Sequence, residues 1–259
     1  MILKRMREQA GQQNWFGVAV DLAILILGVF LGIQVNNWNQ DRLDRHAGED
    51  YRQRIIGDID SNQVDLANHL AYFRDVKAFA AATLASLDRP VGENPQAFLV
   101  NAYQASQISP RKMRRFTYDE ALSTGTFMKV GKPAVRERLT NFYTGMDTVE
   151  MTLQTITPYR EHIRAGMPVR AQEAVREQCP EELFSTGNGP VLSKLPVECE
   201  IELHRMEAIR DAALVRAIPT LRSDLVRLMS DLDVKISVAS YFDQRAKQAR
   251  GQISKPDQE

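Results

Sequence analysis

Two cysteines, Cys179 and Cys199, are the residues in this chain best placed by type and spacing to do chemistry. Between them lie Gly187-Asn188-Gly189-Pro190 and Pro196, so the intervening segment reads as a loop. In an oxidising compartment the pair could close a ring over residues 179–199. That would stabilise the fold by roughly 3 kcal/mol through lost loop entropy. In a reducing compartment they are two unrelated thiols. No CxxC and no matching histidine pair accompanies them, so no metal and no cofactor is expected. The four histidines, His46, His69, His162 and His204, fall in no HExxH pattern. Glu200 and His204, four apart, read as a surface contact on a helix. The carboxylates Asp58, Asp60, Glu181 and Glu182 lack the apolar flanks that would raise a pKa. There is no GxSxG and no phosphate-binding loop. The chain is therefore not expected to be an enzyme.

Two charged features remain. Arg111, Lys112, Arg114 and Arg115 crowd around Met113. They read either as a solvated loop or as a patch for anionic lipid headgroups or an acidic partner. Asp21 is the only ionisable side chain between Trp15 and Gln40. Overall, 33 basic residues balance 33 acidic ones, and no strongly basic domain stands out, so nucleic acid is not expected as a partner.

The elements that must position these residues begin with a greasy one. Phe16 to Val35 is a 20-residue stretch broken only by Asp21. As a helix it is about 30 Å long, the thickness of a bilayer's hydrocarbon core. Trp15 and Trp38, the only tryptophans, bracket it where indoles favour the two membrane interfaces. No small-x-small cleavage site follows, so it reads as an uncleaved signal-anchor. On a helical projection Gly17, Asp21, Gly28, Gly32 and Asn39 fall within about 60° of one another. Gly28 and Gly32 form a GxxxG, which lets helix backbones approach closely. This face is expected to contact a second copy or another membrane protein. Lys4, Arg5 and Arg7 lack acidic neighbours, apart from Glu8, whereas the arginines after the span are interleaved with carboxylates. That favours a cytoplasmic N-terminus with the larger part outside.

Apolar content of 44% and only 14 Gly and 11 Pro tilt the rest towards helix. Ile59, Leu66, Phe73, Ala80 and Leu87 recur every seven residues, joined by Leu70 and Leu84. No strong breaker separates this seam from the span, although Gly48 and Gly57 are weak points. Asn94-Pro95 predicts a helix start for a segment reaching about Ile108. Thr117-Tyr118-Asp119-Glu120 reads as a capping box, with Gly125 as the stop. From Pro133, Val135, Leu139, Phe142, Met146, Val149, Leu153 and Ile156 keep a 4-3 spacing up to Pro158. A last seam runs through Leu214, Ile218, Leu221, Leu225, Leu228 and Leu232, with Pro219 as a kink or fresh start. Strand-like alternation of any length is absent. The expected fold is all-α: one N-terminal transmembrane helix followed by a helical bundle with long heptad-like helices. The expected divisions are a short cytoplasmic tail (1–14), the transmembrane helix (15–38), the extramembrane helical domain (39–250) and a flexible tail (251–259).

The run from Asp21 to Asn39, closing on Gly28-Val29-Phe30-Leu31-Gly32-Ile33-Gln34-Val35-Asn36-Asn37-Trp38-Asn39, resembles the anchor of an uncharacterised bacterial family of single-span membrane proteins. Thr117 to Gly125, followed by Arg136, Leu139 and Phe142-Tyr143, resembles a second recurring segment of that family. The resemblance implies a bacterial inner membrane, with the domain periplasmic, and carries no activity. The function expected is a membrane-anchored helical interaction or scaffold protein. The alternative is an extracytoplasmic ligand-sensing module acting through a partner chain, since a 14-residue tail is too short for an output domain.

Overall fold

The computed structural model describes residues 15–110, 112–185, 187 and 189–254. Residues 1–14, expected as a short tail, Arg111 and residues 255–259 lie outside the described residues. Helix α1 runs from Trp15 to Ser86, 72 residues without a break and about 108 Å of helical rise. The apolar segment and the first heptad seam are thus one rod, and neither Gly48 nor Gly57 interrupts it. The elements after it are α2 (Pro95–Gln104), α3 (Phe116–Ser123), a 3-10 turn (Thr126–Lys129), α4 (Pro133–Gln154), α5 (Pro158–Gly166), α6 (Val169–Gln178), β1 (Glu182–Ser185), β2 (Val191–Lys194), α7 (Arg205–Arg216) and α8 (Leu221–Ile253). The all-α expectation holds apart from the small β1–β2 hairpin.

From Ala19 to Leu43 every residue of α1 is exposed, and none is covered by the other described residues. Below Asp44 one side of α1 is buried. Ile55, Ile59, Leu66, Phe73, Val76 and Ala80 pack into a common core with α4 and α8. Helix α8 runs antiparallel to α1, as Asp60–Arg250 (2.6 Å), Lys77–Asp233 (2.5 Å) and Asp88–Arg222 (2.5 Å) mark along their length. These exposed pairs contribute at most about 1 kcal/mol each, so the apolar seam carries the packing. Helix α4 lies on α8 in the opposite sense, with Phe142 stacked on Phe242 at 5.0 Å. The three seams therefore close within one chain.

The helix ends follow local chemistry. Asn94 caps α2 by accepting from Ala97 N at 3.3 Å, and Pro95 occupies its first turn. The helix stops at Gln104, short of Ile108. Gly125 ends α3 in the left-handed region (φ 72°), as the stop signal requires. The capping box at Thr117 does not form. Helix α3 begins at Phe116, and the buried Thr117 hydroxyl has no hydrogen-bond partner. The cap comes instead from α1, where Asp58 Oδ2 accepts from Thr117 N at 3.3 Å. Pro158 does end α4 and start α5, and the turn leaves Ile156 exposed rather than on the seam. Leu214 is likewise exposed, because Ala208, Ala212 and Val215 supply the buried face of α7. His204 precedes α7, so it shares no helix with Glu200. Helix α8 continues through Gly251 to a buried Ile253, whose carbonyl accepts from Arg52 at 2.5 Å. Residues 251–253 of the expected tail are thus helical.

The two weak points of α1 differ sharply. At Gly48 a Cβ would overlap the backbone carbonyl of Lys129, and Lys129 Nζ also pairs with Asp44 at 2.8 Å. Gly57 faces open space. Gly48→Ala is expected to lower stability by about 2 kcal/mol, whereas Gly57→Ala should raise it by about 1 kcal/mol through helix propensity. Urea unfolding of the detergent-solubilised chain, followed by circular dichroism, checks both signs.

Candidate functional site

The sequence-predicted contact face lies on the uncovered part of α1. Asp21, Gly28, Gly32 and Trp38 are all exposed, and a Cβ at either glycine would meet nothing within 4 Å. Trp15 and Gly17 lie in the first turns of the same helix. No segment of the described chain folds back onto this face. At 100° per residue the arc holding Gly28, Gly32 and Asn39 also holds His46, Asp50, Gln53, Gly57 and Val64, and all five are exposed. The apolar face and the open face of the body thus lie on the same side of one helix.

The opposite side of α1 carries buried polar groups that the sequence did not single out as a set: Asp58, Asn62, Asp65 and His69. They hold crossing segments by their backbones. Asn62 accepts from Arg114 N (2.7 Å) and donates to Arg114 O (2.8 Å). Asn68 does the same for Ser193, accepting from its N–H at 3.1 Å and donating to its carbonyl at 2.8 Å. The ring nitrogens of His69 face Asp65 O at 2.9 Å and Ser109 O at 3.1 Å. The available signal was a 4-3-4 spacing of polar residues inside an apolar seam.

Within the basic patch the described residues differ. Arg115 pairs with Asp119 (3.0 Å) and with Asp147, while Lys112 is exposed. Arg114 is fixed by its backbone to Asn62, which lies 27 residues past Val35, about 40 Å along α1.

Cys179 and Cys199 stand at disulfide distance, with Cα atoms 5.8 Å apart. The segment between them is not a plain loop. It forms the antiparallel β1–β2 hairpin, in the register Glu182–Lys194, Leu183–Ser193, Phe184–Leu192 and Ser185–Val191. Leu183, Phe184 and Val191 are exposed on it, and Val197 beyond it.

Where α4 gives way to α5, a cleft of about 40 Å³ is lined by Phe73, Val76, Leu153, Leu232, Arg160 and Lys235. Lys235 donates to the carbonyl of Thr155 at the end of α4 and sits 5.5 Å from the Phe73 ring. Burial lowers its pKa. This is a cation closing the negative end of a helix. Among the described residues no group of three or more His, Cys, Asp or Glu is arranged to hold a metal ion.

At the start of α8, burial acts to raise the Asp224 carboxyl. Hydrogen bonds from Thr220 and His162 (Nδ1 at 2.7 Å) outweigh it and hold the pKa below the ordinary value. A depressed carboxylate pKa stabilises the fold above the unfolded value of about 3.9, and that stability is lost as pH falls through the folded value. Thermal unfolding is therefore expected to move to lower temperature below about pH 4, with a shallower acid slope in Asp224→Asn. No known protein family, curated protein or solved structure matches this chain.

Proposed function

We propose that this chain is a single-span protein of the bacterial inner membrane that works as an interaction or scaffold protein, with its N-terminus cytoplasmic and its helical domain periplasmic. The alignment along α1 carries the reading. A rod whose apolar end is wholly uncovered presents Gly28 and Gly32 on the same arc as the open residues Gln53, Gly57 and Val64. A partner helix packed on the glycines would run on alongside the exposed side of the body, with the bundle turned outwards. The partner is a second copy or another membrane protein. In lipid the hydrophobic effect does not drive helices together, so close backbone packing at small residues has to do so. Asp21, about 7–8 Å inside the apolar boundary by helical rise, gains from a partner's donor. The bacterial setting rests on the anchor resemblance. The periplasmic side rests on the charge flanks and on the spacing of Cys179 and Cys199, which suits an oxidising compartment.

The ligand-sensing alternative draws less support. Metabolite sites usually enclose about 300–1,000 Å³ and are mostly apolar; the cleft beside Lys235 is far smaller, and the hollow of about 410 Å³ beside the rod is lined by the charged Asp41, Asp44, Arg45 and Lys129.

Two measurements test the proposal. Gln53→Cys, on the shared arc, should form an oxidant-dependent crosslink in intact membranes to a second copy or another chain. Asp41→Cys, exposed on the far side of the helix, should not. Gly28→Leu with Gly32→Leu should reduce the Gln53→Cys product several-fold. No crosslink from Gln53→Cys would sink the proposed contact. For orientation, a membrane-impermeant thiol reagent applied to reduced spheroplasts should label Cys199 before lysis; labelling only after lysis would place the domain in the cytoplasm.

A further inference from the structure

The β1–β2 hairpin has one closed edge and one open edge. Ser193 directs both its N–H and its carbonyl at the Asn68 side chain, away from β1. In an antiparallel pair a residue pointing outwards faces another that also points outwards. Its partner Leu183 therefore turns its own N–H and carbonyl away from β2, onto the free edge of β1. The pairs Glu182–Lys194 and Phe184–Leu192 then carry the ladder. The outer edge of β2 is thus sealed by an asparagine, while the edge of β1 is held ready and unsealed. Neither proline nor lysine lies on it; its four-residue length and Glu182 are what limit unspecific pairing there. Leu183 and Phe184 are 68% and 43% exposed beside it, and Val191 is 54% exposed. From residue 176 to 202 the chain carries six glutamates against Arg176 and Lys194.

We infer that the open edge of β1 is a docking site for an extended segment of a partner protein, one alternating apolar and basic residues. Main-chain hydrogen bonds to Leu183 extend the sheet by one strand, and an apolar side chain of the partner settles on Leu183. The negative charge of Glu181 and Glu182, at the start of the strand that carries the open edge, selects the partner's charge, whereas Lys112 and Arg114 lie beside Val191 on β2. It also disfavours a second copy, because edge-to-edge pairing of two hairpins brings two acidic surfaces together. The inference rests on the proposed interaction role and adds the chemistry of the partner.

The probe is a ten-residue peptide of alternating lysine and valine, titrated into the detergent-solubilised full chain and followed by fluorescence anisotropy. Saturable binding is expected. It should weaken at least tenfold when glutamate replaces the lysines, and at least tenfold when a central valine becomes proline. Leu183→Pro removes the outward donor without touching the β1–β2 ladder, and should also weaken binding at least tenfold, while Leu183→Ala keeps most of it. Because Leu183→Pro could also disturb the hairpin, amide exchange in the unmodified chain is the second readout. The Leu183 N–H should exchange quickly alone and slow at least tenfold with peptide, while the Phe184 N–H is protected in both. Equal binding by Leu183→Pro with an unprotected Leu183 amide, no binding at all, or peptide-free pairing of two copies through Leu183 would each overturn the inference. Such a failure leaves the Gln53→Cys crosslink untouched, and loss of that crosslink leaves the peptide titration untouched.

Discussion

An unbroken helix fixes the rotational phase of every residue along it, and α1 imposes that constraint on the whole molecule. Seventy-two residues share one axis. One side of its lower part is given to α8, α2, the 3-10 turn, α3 and β2, so the other side is open by geometry rather than by composition. A seven-residue seam drifts by about 20° per heptad against a straight helix. The open face follows the helix and not the heptad: Gly28 and Val64 are 36 residues apart, about ten full turns at 3.6 residues each, so the glycine face stays in line with the open face as far as Val64. A kink between Leu43 and Gly57 would destroy that alignment, and this is where the glycines sit. The chain meets the danger at Gly48 by packing the Lys129 carbonyl into the space a Cβ would fill, with Asp44 and Lys129 paired beside it.

The same helix acts as the template for elements too short to hold themselves. An eight-residue helix such as α3 and a two-stranded hairpin are both marginal alone in water. Each is fixed by a side chain of α1 that replaces a missing backbone partner: Asp58 at the first turn of α3, Asn62 beside Arg114, Asn68 beside Ser193. At the far end the relation reverses. Arg216 of α7 donates to Ser86 O and Arg89 O at 2.8 Å each and lies over the Phe98 ring, closing the last turn of α1. Burying these polar groups is tolerable only because they are partnered, so their pairing sets the register as well as contributing energy.

What could be read from the sequence, and what could not, follows from the range of the interactions. The seam of α4 from Leu139 to Leu153, the stop at Gly125, the break at Pro158 and the cap at Asn94 all depend on neighbours within a few residues. They were legible. The false capping box at Thr117 shows the opposite case. Its spacing is right, but the donor is met by Asp58, 59 residues away, and nothing local reveals that. Leu214 reads as a seam residue because leucine at the right spacing looks like core; the buried face of α7 rests largely on alanines, which carry little signal. The hairpin was missed because its strands have four residues each and no alternation that stands out. Its geometry comes from the paired cysteines and from Asn68, both distant in sequence. The glycine face was visible from spacing alone, yet its relation to the open side of the body needed the continuity of α1, which no pattern guarantees.

The two exposed surfaces obey different physics, and this is why one chain has room for both. Around Gly28 and Gly32 the surroundings in the proposed role are lipid tails, as apolar as the helix itself, so contact there comes from shape and from the few polar groups such as Asp21. At Leu183, 33 residues of rod past Val35 to Asn68 and about 50 Å away, the medium is water. In the inferred docking, an open strand edge and nearby glutamates would do the selecting there, and salt would screen the charge term over about 10 Å. A change at either surface has no contact path to the other except through α1. In the proposed role a straight α1 would leave each surface its own affinity, and the rod would set only how far apart two partners are held.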